Sequence, residues 1–216
     1  MNNKYGKAVF NKHIAALFPP IDKSLVHKLE IDTIGSYSIS IPDDARAIND
    51  IVVKHVKPYI LANKKDSDKK ITIIDATAGV GGNTIAFAQL CDQVNAIELN
   101  NDRYRYLVNN VKLYGLKNVI FHNDNFLDII FDVKQDIIFI DPPWGGKKYK
   151  HYETIRLNIG QIPLEDICEM IFKVESAKCV VLKLPKNYDI TYLQETLKNR
   201  TVDVHKVRKF IVVVVK

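Results

Sequence analysis

Residues 74–84 read Ile74-Asp75-Ala76-Thr77-Ala78-Gly79-Val80-Gly81-Gly82-Asn83-Thr84, a β-branched run that ends in an acid and passes through a glycine-rich turn toward a helix-forming stretch. Glycines at such a turn let the backbone bend sharply and approach a ligand with no Cβ in the way. A dinucleotide fold would carry G-x-G-x-x-G into the helix. Here Thr84 stands at the third glycine position and Asp75 precedes the loop, which disfavours a pyrophosphate. An acid at that place suits a ligand with a cationic amino-acid end.

On either side of this turn the pattern alternates. Residues 71–75, 94–99, 118–122, 136–140 and 179–184 are short apolar runs bounded by polar or turn residues, as expected of strands buried on both faces. Helix-forming stretches at 83–90, 103–114, 164–173 and 190–198 lie between and after them. That alternation predicts a doubly wound α/β sheet, mostly parallel. Residues 202–206 and 210–215 add two strands around a basic turn, an antiparallel hairpin at one edge that brings the sheet to seven strands.

Before the sheet, Phe18-Pro19-Pro20 stops any helix that precedes it. Ser40 and Asp43 are spaced as a capping box, and Ile48, Ile51, Val52 and Val56 then recur at helical spacing, so a helix is predicted to run to about Lys57, ahead of Pro58. The expected division is a helical N-terminal extension over 1–62 that contributes to a substrate pocket, a charged linker over 63–70, and a catalytic domain over 71–216.

Composition narrows the class. Of 216 residues 47% are hydrophobic, enough to bury a core, and 31 Lys and Arg against 25 Asp and Glu leave a formal charge of +6 that favours anionic partners. Cys91, Cys168 and Cys179 are odd in number and lack C-x-x-C spacing, so neither a disulfide framework nor a metal site is expected. No apolar run is long enough to cross a bilayer and the first twelve residues do not read as an export signal. The expectation is an intracellular protein, in nucleus or cytoplasm, not secreted, acting as a monomer away from membranes.

Two further acids complete a ligand site. Glu98 ends the second strand nineteen residues after Gly79, where a carboxylate accepts the two hydroxyls of a ribose. Asp124 follows the third strand, within reach of an adenine amino group. An acid by the loop, an acid on ribose and an acid near adenine together describe S-adenosylmethionine, with Asp75, Ala76, Gly79, Gly81, Asn83, Thr84, Glu98 and Asp124 as the cofactor-binding set.

The fourth strand runs straight into Asp141-Pro142-Pro143-Trp144-Gly145-Gly146, at the switch point beside the first strand. An exocyclic amine on a purine is a poor nucleophile, because its lone pair is delocalised into the ring. A carboxylate at Asp141 and the Pro142 carbonyl can accept its two hydrogens and favour a pyramidal nitrogen, while Trp144 lies against the base. Positioning of that kind is worth roughly 7 kcal/mol of barrier or more. Asp141, Pro142 and Trp144 are therefore the candidate catalytic residues.

With both loops in view, the chain resembles the trimethylguanosine synthase family, which methylates N2 of the 7-methylguanosine cap of RNA. The resemblance covers residues 36–215 and is carried by Asp75 to Thr84 (DATAGVGGNT), by Asp141 to Gly146 with Tyr149, Glu153 and Thr154 after it, by Leu184-Pro185-Lys186-Asn187, and by Ser38 to Pro42. It implies that Trp144 stacks on the cationic 7-methylguanine, that Tyr149, Lys186 and Asn187 contact the cap, and that Lys147 with Lys148 and Lys150 faces its triphosphate. Family members commonly have Ser where this chain has Asp141, and their aromatic, basic N-terminal arm would correspond here to Phe10, Phe18 and Lys23. The implied function is S-adenosylmethionine-dependent hypermethylation of a capped RNA or cap nucleotide. An adenine N6-methyltransferase on RNA or DNA, and a catalytically silent cap-binding protein, are the alternatives.

Overall fold

The computed structural model describes residues 13–62, 64–65, 70–130 and 132–216. Most of the linker expected at 63–70, the residue Phe10, and the side chain of Lys147 lie outside what is described. Strands β1 (Thr72–Asp75), β2 (Gln93–Ile97), β3 (Val119–His122), β4 (Gln135–Ile140), β5 (Asn158–Ile159), β6 (Ile162–Pro163), β7 (Ala177–Leu184), β8 (Val202–Lys206) and β9 (Ile211–Val215) follow the sequence reading within a residue or two, except that the short β5–β6 hairpin carries no alternation long enough to reveal it.

The seven-stranded sheet has the order β3-β2-β1-β4-β7-β9-β8, and the two short strands pair separately. β1 to β4 and β7 are parallel, while β9 runs antiparallel between β7 and β8. The predicted C-terminal hairpin is thus present with its second strand inside. Composition explains the choice: Ile211–Val215 is apolar at every position and buried throughout, whereas β8 carries Asp203, His205 and Lys206 and takes the edge.

Residues along the central strands alternate between two cores, as the pleat requires. Ile73, Ile137, Phe139, Cys179, Val181, Val212 and Val214 point to one face, where they meet Ile48, Val52, Val56 and Ile60. Ile74, Ile138, Ile140, Val180, Leu182 and Val213 point to the other, under helices Leu164–Lys173 and Ile190–Thr196. A third cluster seats Ile14, Leu17, Phe18 and Leu29 on Val80, Ile85, Leu107 and Val111. Phe18 is 1% exposed. It is therefore a core residue of the extension and not part of a cap-facing arm, because its ring is spent on the helices beside the glycine loop.

Two local expectations change. The helix does not stop before Pro58: Pro42–Ile51 continues through a π-turn at Val52–Val56 into Lys57–Ala62. The wider turn, in which the Lys57 N–H bonds to the Val52 carbonyl, accommodates a proline that would break an ordinary helix. Ser40 is not a cap either. Ile41 holds that position with no side-chain bond, Pro42 supplies the first helical φ, and the Ser40 hydroxyl is directed to the sheet instead.

Candidate active site

The carboxyl ends of β1 and β4 lie side by side, with β2 and β7 flanking them. Crossovers leave β1 and β4 in opposite directions, which opens a crevice above their ends. The glycine loop enters this crevice from β1 with Gly79 and Gly81 at φ of +57° and +102°. At Gly82 the requirement is space: a Cβ there would stand 2.6 Å from Ile39 Cγ1 and 2.7 Å from the Ser40 carbonyl.

Asp75 lies beneath this loop and not in its mouth. It is fully buried, accepts the Thr84 hydroxyl at 2.6 Å, and also takes the Thr77 N–H. Burial, opposed by the Thr84 bond and reinforced by the negative charges of Asp141 and Glu98, pushes its carboxyl up to about 7. Asp75 and Thr84 therefore shape the loop from below.

Glu98 is the hinge between strand ends. Its carboxylate accepts the N–H of Gly79 at 2.9 Å and of Asn100 at 2.8 Å, and Arg103 Nε approaches at 3.3 Å. Beyond it Leu99 is 69% exposed, an apolar surface that the sequence reading passed over. Asn123 donates to the Glu98 and Leu99 carbonyls, which draws the loop holding the exposed Asp124 alongside. An acceptor at the loop, an exposed apolar face and a second acceptor thus follow one another along the ends of β1, β2 and β3. Among the described residues the buried Asp75 Oδ1 and Asn83 Oδ1 find no partner in the protein. These residues fit an adenosyl amino acid, with Ala76, Gly79, Gly81 and Asn83 forming the turn above Asp75.

The second loop is fastened to the first. Thr77 Oγ1 accepts the Asp141 N–H and donates to the Asp141 carbonyl, both at 3.0 Å. Pro142 is buried, and Trp144 packs partly against both main cores. The Trp144 indole meets the Tyr149 ring edge-on at 5.2 Å, and its Nε1, buried, has no acceptor among the described residues. Lys148 and Lys150 are exposed on the 3₁₀ turn Gly146–His151. Asn187 spends its amide on the carbonyls of Tyr149 and Tyr152, at 2.9 and 2.8 Å. It holds the Trp144–Tyr152 segment in place, while Lys186 is exposed beside it.

Sequence reasoning missed Lys183. It sits in β7, 6% exposed, with Nζ 2.7 Å from Asp141 Oδ2 and 2.9 Å from Ser40 Oγ. The signal was present: a lysine inside Cys179-Val180-Val181-Leu182-Lys183-Leu184 demands a buried acceptor. For Asp141, burial pushes the carboxyl upward and the Lys183 ammonium opposes it.

No group of three or more His, Cys, Asp or Glu among the described residues could hold a metal ion, and no described helix is long and apolar enough to cross a membrane. All three cysteines are free and buried.

Comparison with known proteins agrees with this geometry. The chain is 37% identical over 214 residues to the uncharacterized protein L320 of Acanthamoeba polyphaga mimivirus, covering 93% of this chain and 84% of that one. It is 29% identical over 166 residues to the trimethylguanosine synthase of Schizosaccharomyces pombe, covering 73% of this chain and 63% of the relative. This chain thus matches less than two thirds of that yeast protein. Among solved structures, precorrin-6y C5,15-methyltransferase from Geobacter metallireducens superposes with a TM-score of 0.51 over 76% of this chain and 88% of its own, at 18% identity, which speaks to the fold alone. The profile of the RNA cap guanine-N2 methyltransferases matches residues 70–215. On that match, the chain belongs to the RNA cap guanine-N2 methyltransferase family, with the sheet of an S-adenosylmethionine-dependent methyltransferase.

Proposed function

We propose that this methyltransferase moves a methyl group from S-adenosylmethionine to the exocyclic N2 of a 7-methylguanosine cap, on capped RNA or a cap nucleotide, and works as a monomer. The observation that carries the reading is the Thr77–Asp141 bridge, which locks the glycine loop and the Asp141-Pro142-Pro143-Trp144 loop into one crevice.

When bound, S-adenosylmethionine supplies a methyl group already activated on a sulfonium, so the protein's task is placement. Glu98 and Asp124 take the ribose and adenine, and the turn from Ala76 to Asn83 takes the amino-acid end. On the other side Asp141 and the Pro142 carbonyl accept the two hydrogens of the purine amine. That leaves its lone pair pointing away from the ring plane. Trp144 stacks on the base, with Tyr149 set against its edge and Asn187 holding that segment. A methylated guanine is cationic, and a cation over an indole gains about 0.5 to 2 kcal/mol. Lys186, with Lys148 and Lys150, faces the phosphates.

The test is transfer of labelled methyl to 7-methyl-GTP and to GTP. Preference for the methylated base is expected, and Trp144→Ala should lower kcat/KM on 7-methyl-GTP about two- to thirtyfold with Trp144→Phe retaining part of it. Equal use of both nucleotides would remove Trp144 as reader of the charge. A nucleoside digest of methylated RNA and DNA showing N6-methyladenine would replace the cap reading with the adenine one.

A further inference from the structure

The register of the sheet places three charged residues on one face at adjacent strand ends. Asp75 pairs with Phe139 and Ile140 with Leu182, so one step further along β4 and β7 Asp141 stands opposite Lys183. The alternation that sends Cys179 and Val181 toward the 42–62 helical run sends Lys183 there too, where Ser40 precedes that run. Its ammonium is enclosed: Asp141 Oδ2 at 2.7 Å, Ser40 Oγ at 2.9 Å, the Trp144 ring at 5.6 Å and the Phe210 ring at 5.4 Å. The Lys183 side chain is 8% exposed and that of Asp141 16%. A buried lysine of this kind is costly unless something is gained by it.

We propose that Lys183 is the positioning residue of the reaction: it fixes Asp141 as an ionised acceptor with Oδ2 engaged, leaving Oδ1 for the substrate's amino group. The inference rests on the reading of Asp141 as the amine's acceptor. A protonated carboxyl keeps a weaker acceptor and places a donor on its other oxygen, so the contact with the amine would be weakened. Burial drives Asp141 toward that form and the Lys183 charge opposes it. Around Asp141 the other groups are the Asp75 carboxyl from β1, which the Asp141 charge helps to keep protonated, the Thr77 hydroxyl on its backbone, and, on Lys183, the Ser40 hydroxyl from the N-terminal segment. Lys183 is the cation among them, and its link to Ser40 makes the extension part of the catalytic scaffold.

The experiment compares wild type, Lys183→Met, Lys183→Arg, Asp141→Asn and the Lys183→Met/Asp141→Asn pair, reading kcat and KM against pH on 7-methyl-GTP. Lys183→Met should lower kcat about a hundredfold, the order expected for a reacting group out of place. It should also move the ascending limb of the pH profile to higher pH than in wild type, and Lys183→Arg should recover part of the rate. In the Asp141→Asn background Lys183→Met should cost little more, because the two act as a unit. Carboxyl-carbon NMR of labelled aspartate, assigned with Asp141→Asn and Asp75→Asn, should show Asp141 titrating higher in Lys183→Met than in wild type. An unchanged Asp141 titration, or an equal kcat loss in both backgrounds, would overturn the proposal. If wild type instead methylates another amine, the cap reading fails and the same cycle on that amine judges Lys183. If it methylates none, the titration judges it alone.

Discussion

Asp75 shows how one buried carboxyl trades stability for a shaped loop. In the folded chain it holds its proton up to about pH 7, against an ordinary value of 3.8. Across that interval the folded state carries a proton that the unfolded state has lost, so stability falls as pH rises from about 4 to 7 and is level above it. The shift corresponds to roughly 4 kcal/mol at its full extent. Denaturant unfolding at pH 5 and pH 8 should show wild type weaker at the higher pH, and Asp75→Asn should flatten most of that difference. A wild-type chain equally stable at both pH values would contradict the burial of an unpaired Oδ1. Glu98, by contrast, is supplied with backbone N–H donors from Gly79 and Asn100.

At the scale of elements, the docking of the N-terminal segment on helix Gly82–Ala88 depends on a missing Cβ. Gly82→Ala would press a methyl against the Ser40 backbone, which has no flexible end to move aside. The expected loss is about 1–3 kcal/mol in urea unfolding. Because Ser40 also holds Lys183, kcat should fall further than the stability change explains, and an unaltered kcat would separate the segment from the chemistry. The elements themselves were largely legible in the sequence: β-branched runs bounded by turn residues gave the strands, and the two loops at the ends of β1 and β4 gave the crevice. What the sequence hid are pairings across the fold. Ser40 reads locally as a cap, Pro58 reads locally as a stop, and Phe18 reads as an aromatic free for a ligand. Two are redirected by residues distant in the chain, Ser40 by Lys183 and Phe18 by Val80, Leu107 and Val111, and Pro58 by the π-turn just before it. The bonds from the Asn187 amide to the carbonyls of Tyr149 and Tyr152 are likewise out of view in the sequence.

For the molecule as a whole, the extension and the sheet form one body. Asn110 is fully buried and joins three parts, accepting the Glu30 N–H at 2.9 Å and donating to the carbonyls of Glu30 and Val80 at 2.8 and 2.9 Å. Tyr114 reaches Pro19 in the same way, its hydroxyl 2.6 Å from that carbonyl. The positive surface also has a direction. Lys206 pairs with Ile211, which pairs with Leu184, so the basic turn holding the exposed Arg208 and Lys209 stands beside the strand end that leads to Lys186. A capped RNA lying across this rim should release counterions on binding. Its kcat/KM should fall linearly on a log–log plot against salt, by about tenfold or more between roughly 50 and 200 mM, while 7-methyl-GTP responds less. Identical slopes for the two substrates would confine recognition to the cap nucleotide.

The inside place of β9 also sets an order of assembly. β8 touches the sheet only by way of β9, since the strand succession ends β7-β9-β8. The earlier of the two strands therefore has nothing to pair with until the later one exists, and a chain halted between them would leave Lys183's strand with a bare, aggregation-prone flank.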